Sequence, residues 1–419
     1  YLSNFAPFVA TAAGVPMLVG CYDIPVVHVK VQGVFTNTVP VDAYRGAGRP
    51  EAIYAIERLL DAAAYDLGIS PAEIRRRNFI PSNAMPFETV LGSVYDSGEF
   101  ARNLEDALQI SRWEDFEARR EAAKAKGKLR GIGLASYIEK CAGGSPEEAR
   151  LEVSSDGHVT LYIGTQSNGQ GHETAFRQII SERLGISFEE ISIVQGDSDR
   201  IETGGGTMGS RSVPVGGSAI SATAAILIEK AKLKAAEMLE TAIDDVEFEN
   251  GEFKIVGTDR SESFKSVAQA AAPADGSASF DEKESFAPSE ATYPNGTHVC
   301  ELEIDEATGT IEVVDYTVVD DFGKTINPLL LEGQVHGGIA QGLGQALLEN
   351  CAYDAESGQL IAATFMDYTM PRASNFPEIR FKRNEVPCLT NPLGIKGAGE
   401  AGAIGAPPAI INAGVNALK

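Results

Sequence analysis

Cysteine is scarce and scattered. Cys21, Cys141, Cys300, Cys351 and Cys388 form no Cys-x-x-Cys, so the chain encodes neither an iron–sulfur cluster nor a thiolate zinc site. Widely spaced thiols of this kind read as reduced, cytosolic side chains. Histidine numbers only five, none four residues from another, which argues against a metal held by protein side chains. Positive charge is short as well: 35 Lys and Arg stand against 59 Asp and Glu, a net charge of −24. That balance repels nucleic acid phosphates and anionic membranes. An anionic ligand must then be met by backbone N–H groups and a few local arginines. An uninterrupted membrane-length run is missing too. Tyr1 to Tyr22 carries no charge, but Pro7, Gly14 and Pro16 interrupt it and no basic segment precedes it, so it reads as buried core.

Glycine, by contrast, is abundant, and it clusters. Glu400 is the only acid in Lys396-Gly397-Ala398-Gly399-Glu400-Ala401-Gly402-Ala403-Ile404-Gly405. Glycines remove bulk and permit positive φ, so ligand or backbone can approach closely, and a lone acid there is placed to act as a base. The competing reading puts Glu400 ahead of a helix that Pro407-Pro408-Ala409 begins, where negative charge is stabilising. Four more glycine-rich runs stand at Ala43 to Glu51, Asn168 to Glu173, Gly204 to Ser212 and Glu332 to Gly338. Nucleotide-fold readings fail. Gly397 to Gly402 fits G-x-G-x-x-G, but the chain lacks the acid about 20 residues further on, and Gly204 to Arg211 lacks the Gly-Lys-Ser/Thr ending of a phosphate loop.

At 419 residues the chain exceeds one ordinary core, so two domains or an elaborate α+β unit are expected. Helical spacing covers Pro50 to Leu67, a short helix starts at Ser70-Pro71, and Phe100 to Lys126 reads as one long helix ending near Gly127. From Gly131 the pattern turns to strands, so the boundary is set near 127–130, giving domains 1–127 and 128–419. Hairpins are predicted about Ser155-Asp156-Gly157 and Glu249 to Glu252, with Cys300–Ile304 pairing Ile311–Val319. Further helices are expected over Gly171–Leu184, Gly217–Leu239 and Leu330–Leu348, and a surface loop over Ala271–Ser279.

In order and spacing, the five glycine-rich runs resemble the molybdopterin-binding large subunit of the xanthine dehydrogenase, aldehyde oxidase and carbon monoxide dehydrogenase family. The likeness spans Ala43 to Asn412. It implies a two-domain α+β molybdenum-cofactor-binding architecture, with 1–127 as the C-terminal part of the first cofactor-binding domain and 128–419 as the second. In that family a further cofactor loop lies upstream of the first run here, so the chain reads as a fragment. The resemblance assigns Gln170, Gln334, Gly46 and the loop Gly209-Ser210-Arg211-Ser212 to the pterin and its phosphate or nucleotide extension. The loop also offers consecutive backbone donors, hydroxyls and a guanidinium, a set suited to phosphate. Asn168 and His336 match positions that vary among relatives, and His336 is not assigned a catalytic role.

The implied reaction hydroxylates an aldehyde or an electron-poor ring carbon with oxygen from water. Glu400 is then the general base, and Arg45 either steadies charge on the substrate or braces its loop. The implied cofactor is molybdenum-molybdopterin cytosine dinucleotide, with no iron–sulfur cluster or flavin on this chain. The implied partners are a small iron–sulfur subunit and a flavin subunit, in a dimer of heterotrimers, with a small-molecule substrate and neither nucleic acid nor membrane. True carbon monoxide dehydrogenases carry a copper-holding Cys where this chain has Gly46-Ala47-Gly48, which favours a hydroxylase over that alternative. Two other readings stand beside it: a cofactor-free scaffold, and a thiol hydrolase using Cys388 with His336.

Overall fold

The computed structural model describes residues 8–39 and 41–419. Of the uncharged opening run, residues 1–7 lie outside the described residues. Within the rest, Met17, Val19, Cys21 and Tyr22 are buried while Phe8 is exposed.

Among the described residues, two four-stranded sheets and their helices make up the two large hydrophobic cores. The main sheet runs in the order Ile379–Asn384, Ile311–Asp321, Asn295–Asp305, Lys128–Ile138. Its pairings are antiparallel except for the outermost strand, Ile379–Asn384, which is parallel to Ile311–Asp321. The expected hairpin across Glu306–Gly309 is formed, with Cys300 opposite Tyr316. A helix over Ala401–Ala417 lies against the strand Lys128–Ile138, where Gly133 leaves room: a Cβ there would come within 2.1 Å of the Ala413 nitrogen. The second sheet runs Phe280–Phe286, Glu147–Val153, Val159–Ile163, Ile191–Val194. Its core is closed by the helices His172–Leu184 and Gly217–Leu239. Length and apolar composition alone would let Ser212–Leu239 cross a membrane, yet 67% of its most apolar window is buried inside the protein, as befits a core helix.

Residues on both sides of 127–130 share the main core, from Met17 and Phe116 to Ile132 and Ala417. A buried polar knot ties the early helices to the main sheet. Arg75 Nε donates to Glu57 Oε2 at 2.8 Å, the Ser136 N–H reaches the same oxygen at 3.0 Å, and the Tyr22 hydroxyl bonds the other. Because desolvation of buried charge is costly, these partners must stay together for the segments to pack.

Two helix expectations need correction. Phe100 to Lys126 is not one helix: Phe100–Ser111 ends at Arg112, in left-handed backbone at φ 52°, and Phe116–Lys124 follows a short 3₁₀ turn. The break lets Phe100, Leu104, Leu108 and Phe116 all reach the main core, which outweighs helix continuity. The last helix starts at Ala401 rather than at Pro407, and both prolines lie inside it. Tertiary burial around Ala401–Ile410 holds this helix despite the lost N–H donors.

Candidate active site

Glu400 is the residue immediately before the Ala401–Ala417 helix, and its carboxylate is held by three donors from distant elements. The Gly46 N–H reaches Oε1 at 3.0 Å, Ser210 Oγ donates to Oε2 at 2.7 Å, and Arg49 Nη2 stands 3.5 Å from Oε2. Gly46 can present its N–H because it adopts φ 90°, a backbone state that side chains resist. Its neighbour Arg49 begins the Arg49–Leu67 helix.

The approach of the Ser210 loop depends on Gly397. A Cβ there would lie 2.5 Å from the Ser210 carbonyl oxygen and 2.6 Å from Cys141 Sγ, so any side chain would push the loops apart and carry Ser210 away from Glu400. The run leading to Glu400 is anchored from below by Lys396. This buried ammonium sits 2.6 Å from Asp321 Oδ2 and 3.3 Å from the Ser97 carbonyl oxygen.

The Glu400 side chain retains 16% exposure and faces a cavity of about 760 Å³. Arg45, Asn168, Gln170, Gly209, Ser210, Ser212 and Gln334 line the same space. Four of the glycine-rich runs thus converge with the Glu400 run on one chamber. Arg45 is a brace as well as a wall: Nε donates to the Gly399 carbonyl, Nη1 to Gln341 Oε1 at 3.3 Å, and Nη2 to the carbonyl and amide oxygens of Gln334, each at 3.1 Å. Burial lowers its pKa, opposed by the charges of Glu400 and Glu139.

Arg211 lies elsewhere. Its guanidinium, expected to meet phosphate, is buried against Glu147 Oε2 at 2.5 Å and the carbonyls of Ser145, Pro146 and Gly206, and it does not line the chamber. It stiffens the loop whose Ser210 and Ser212 face the ligand space. Cys388 and His336 make separate contacts. Cys388 is buried and its sulfur meets Thr390 Oγ1 at 3.2 Å, with burial raising its pKa, while His336 pairs with Glu332 at 3.8 Å. A desolvated thiol without an imidazole beside it is a poor nucleophile.

Three contributors were not singled out as site residues from the sequence. Arg49 stood in the first glycine-rich run without a role, and Lys396 and Glu139 had none. Glu139 is fully buried at the end of an apolar strand, 3.2 Å from Arg49. An acid closing an apolar strand was the available signal.

Family models described as the molybdopterin cofactor-binding domain match residues 1–79 and 106–377. The chain belongs to the molybdopterin-binding subunit family of the xanthine dehydrogenases, aldehyde oxidoreductases and carbon monoxide dehydrogenases. Within this family it is 36% identical over 421 residues to the carbon monoxide dehydrogenase large chain of Hydrogenophaga pseudoflava, covering 95% of this chain and 52% of that one. It is 34% identical over 431 residues to the nicotine 6-hydroxylase large subunit of Paenarthrobacter nicotinovorans, covering 98% and 52%. Among solved structures, quinoline 2-oxidoreductase from Pseudomonas putida 86 superposes with a TM-score of 0.93 at 34% identity, covering 99% of this chain and 55% of that one. The chain therefore spans about half the length of these molybdopterin-binding relatives.

The chamber suits the family's molybdopterin cofactor. His172 Nδ1 and Thr325 Oγ1 are buried polar atoms without a partner among the described residues, and both residues line the chamber. Buried polar atoms call for hydrogen-bond partners, and a polar, oxygen- and nitrogen-rich ligand supplies them. Gln170 and Gln334 add side-chain amides, and Gly209 to Ser210 add backbone and hydroxyl groups.

Proposed function

We propose that this chain is the catalytic part of a molybdenum hydroxylase, oxidising an aldehyde or an N-heterocycle with water as the oxygen donor. The observation that carries the reading is the placement of Glu400: one carboxylate, oriented by three donors, at the wall of a chamber assembled from the glycine-rich runs. The bound cofactor would supply the two-electron acceptor and the site at which water-derived oxygen is activated. Gln170, Gln334 and the Gly209–Ser212 backbone would hold it, with the cytosine dinucleotide form adopted from the family likeness.

Glu400 would accept the proton lost by the water-derived hydroxyl as its oxygen bonds to the substrate carbon, while the electron pair of the broken C–H bond leaves to the two-electron acceptor the cofactor would supply. Gly46, Ser210 and Arg49 fix the carboxylate so that no reorientation is needed when the proton moves. Arg45, braced to Gly399 and Gln334, keeps the base loop and the ligand-holding helix in register and presents positive charge to the chamber. Electrons would leave to an iron–sulfur and a flavin subunit, consistent with a heteromeric assembly, and the scattered cysteines, none in a disulfide, accord with a cytoplasmic setting.

A carbon monoxide dehydrogenase-type activity is the second reading, favoured by the 36% identity to such a large chain. Against it stands the residue chemistry: no cysteine lines the chamber, and nearby Cys141 is buried against Thr292 with its pKa raised by burial and then by Glu139. The test is a dye-reduction screen of aldehydes, purines, other N-heterocycles and carbon monoxide on the whole assembly, with molybdenum and cytosine nucleotide assayed on the same sample. Turnover of an aldehyde or heterocycle with both groups present is the expected result. A loaded assembly that oxidises only carbon monoxide would replace this reading with the second, and one that folds without either group would support a scaffold.

A further inference from the structure

Behind Glu400 lies a second acid that the proposed reaction does not use. Glu139 is completely buried at the end of the Lys128–Ile138 strand. Arg49 Nη2 lies between the two acids, 3.2 Å from Glu139 Oε1 and 3.5 Å from Glu400 Oε2. Glu139 Oε2 has no hydrogen-bond partner among the described residues, and Glu400, on the other side of the shared Arg49 Nη2, is the acid nearest to it in charge. Arg49 is the guanidinium in contact with both acids, while Arg45 reaches them only through its charge, and an ionised oxygen of the completely buried Glu139 without a donor is costly. A proton on Glu139 Oε2 neutralises the buried carboxyl and turns the orphaned acceptor into a donor that the Glu400 carboxylate can accept.

We propose that Glu139 is a positioning residue, a protonated acid whose Oε1 accepts from Arg49 and whose Oε2–H donates to the Glu400 carboxylate. The inference rests on Glu400 being the base. The other titratable groups facing this pair are Arg45, Tyr137 and Cys141. Burial first, and the Glu400 charge second, push the Glu139 carboxyl well above its usual range, with Arg49 only partly opposing them. Like charges sharing a site hold one proton between them in this way. Glu139 thereby fixes the rotamer of Glu400 from behind while Gly46 and Ser210 fix it from the sides.

Two variants of equal size separate a neutral donor from an anion. Glu139→Gln keeps an acceptor for Arg49 and places an N–H where the proton sits, so kcat should stay within about threefold of the parent enzyme. Glu139→Met offers no donor, so kcat should fall by roughly tenfold or more, with the acid limb of the pH–rate profile moved to higher pH. Both are measured on the assembled enzyme with molybdenum content as the folding control. Independently of turnover, infrared spectra at neutral pH should contain a protonated-carboxyl band that Glu139→Gln removes. If Gln loses as much as Met, Glu139 is an anionic counterion; if neither variant changes kcat, or the band is missing in the parent protein, the inference also falls. A Glu400→Gln enzyme with full turnover would instead overturn the base assignment itself, whatever the Glu139 variants do.

Discussion

Of the buried arginines that hold glutamates, Arg211 and Arg49 do opposite things with them. Arg211 meets one acid, Glu147, and its Nη groups also donate to carbonyls of the Ser145–Pro146 and Gly206 loops. One cation and one anion balance, and the result is a strut that shapes the ligand-holding loop from outside the chamber. Arg49 stands between two acids, Glu139 and Glu400. There two acids share one contacting guanidinium, and one of the acids opens onto the cavity. A balanced pair stabilises; a surplus carboxyl leaves a proton to be moved. Proximity of an arginine to a glycine-rich run therefore says little about its role until its partners are counted.

The contrast can be broken from the strut side. Arg211→Ala leaves Glu147 buried without its cation, a change that costs on the order of 3–5 kcal/mol; chemical denaturation should show that loss, and the isolated assembly should carry much less molybdenum. A denaturation midpoint equal to that of the parent would show that Arg211 is no strut. Lys396→Met should cost on the order of 3 kcal/mol, since it strands Asp321, but here the damage falls on the Glu400 loop, so kcat should drop further than cofactor content does. Equal losses of both would deny Lys396 its part in placing the base.

An effect that is smaller near neutral pH comes from His298, a ring buried in the main sheet that bonds the Tyr316 hydroxyl at 2.8 Å and lies under Gly405. Burial lowers its pKa to about 3. An unfolded chain takes up that proton at about pH 6.5, so the ring's contribution to stability is complete above that pH and is lost as the pH falls toward 3. The slope it adds is about 1.4 kcal/mol per pH unit, read as the difference between the parent protein and His298→Gln in acid titrations of stability. The smallest effect belongs to Cys388→Ser, which should leave turnover within about twofold, because the thiol is buried against Thr390; abolished turnover would revive the thiol reading.

Much of the fold was legible because its elements follow local rules. Gly217–Leu239 forms over the predicted range, and the hairpin about Ser155–Gly157 closes as the alternation of apolar residues requires. The failures share a cause. Arg112 takes a left-handed conformation that no glycine or proline announces, because Trp113 and Phe116 turn toward the main core. The final helix begins six residues before Pro407, since packing on every side overrides the usual position of proline at a helix start. At the site, Glu400 stood out by its isolation among glycines, whereas Glu139 reads locally as the polar end of a strand. Only the fold brings the two acids to one guanidinium. Arg211 stands between Ser210 and Ser212, which line the chamber, yet its own guanidinium turns to Glu147, and spacing along a chain does not say which way a side chain points.

The central claim is that Glu400 moves the proton in the reaction of this chamber, and it is tested most directly by the turnover of a Glu400→Gln enzyme that still carries its cofactor. Gln keeps the size and can still accept from Gly46 through its one oxygen while its amide N–H donates to a reoriented Ser210 hydroxyl, so molybdenum content should match the parent while kcat falls by about two to four orders of magnitude. Parent-like turnover in a fully loaded Glu400→Gln enzyme would contradict the account.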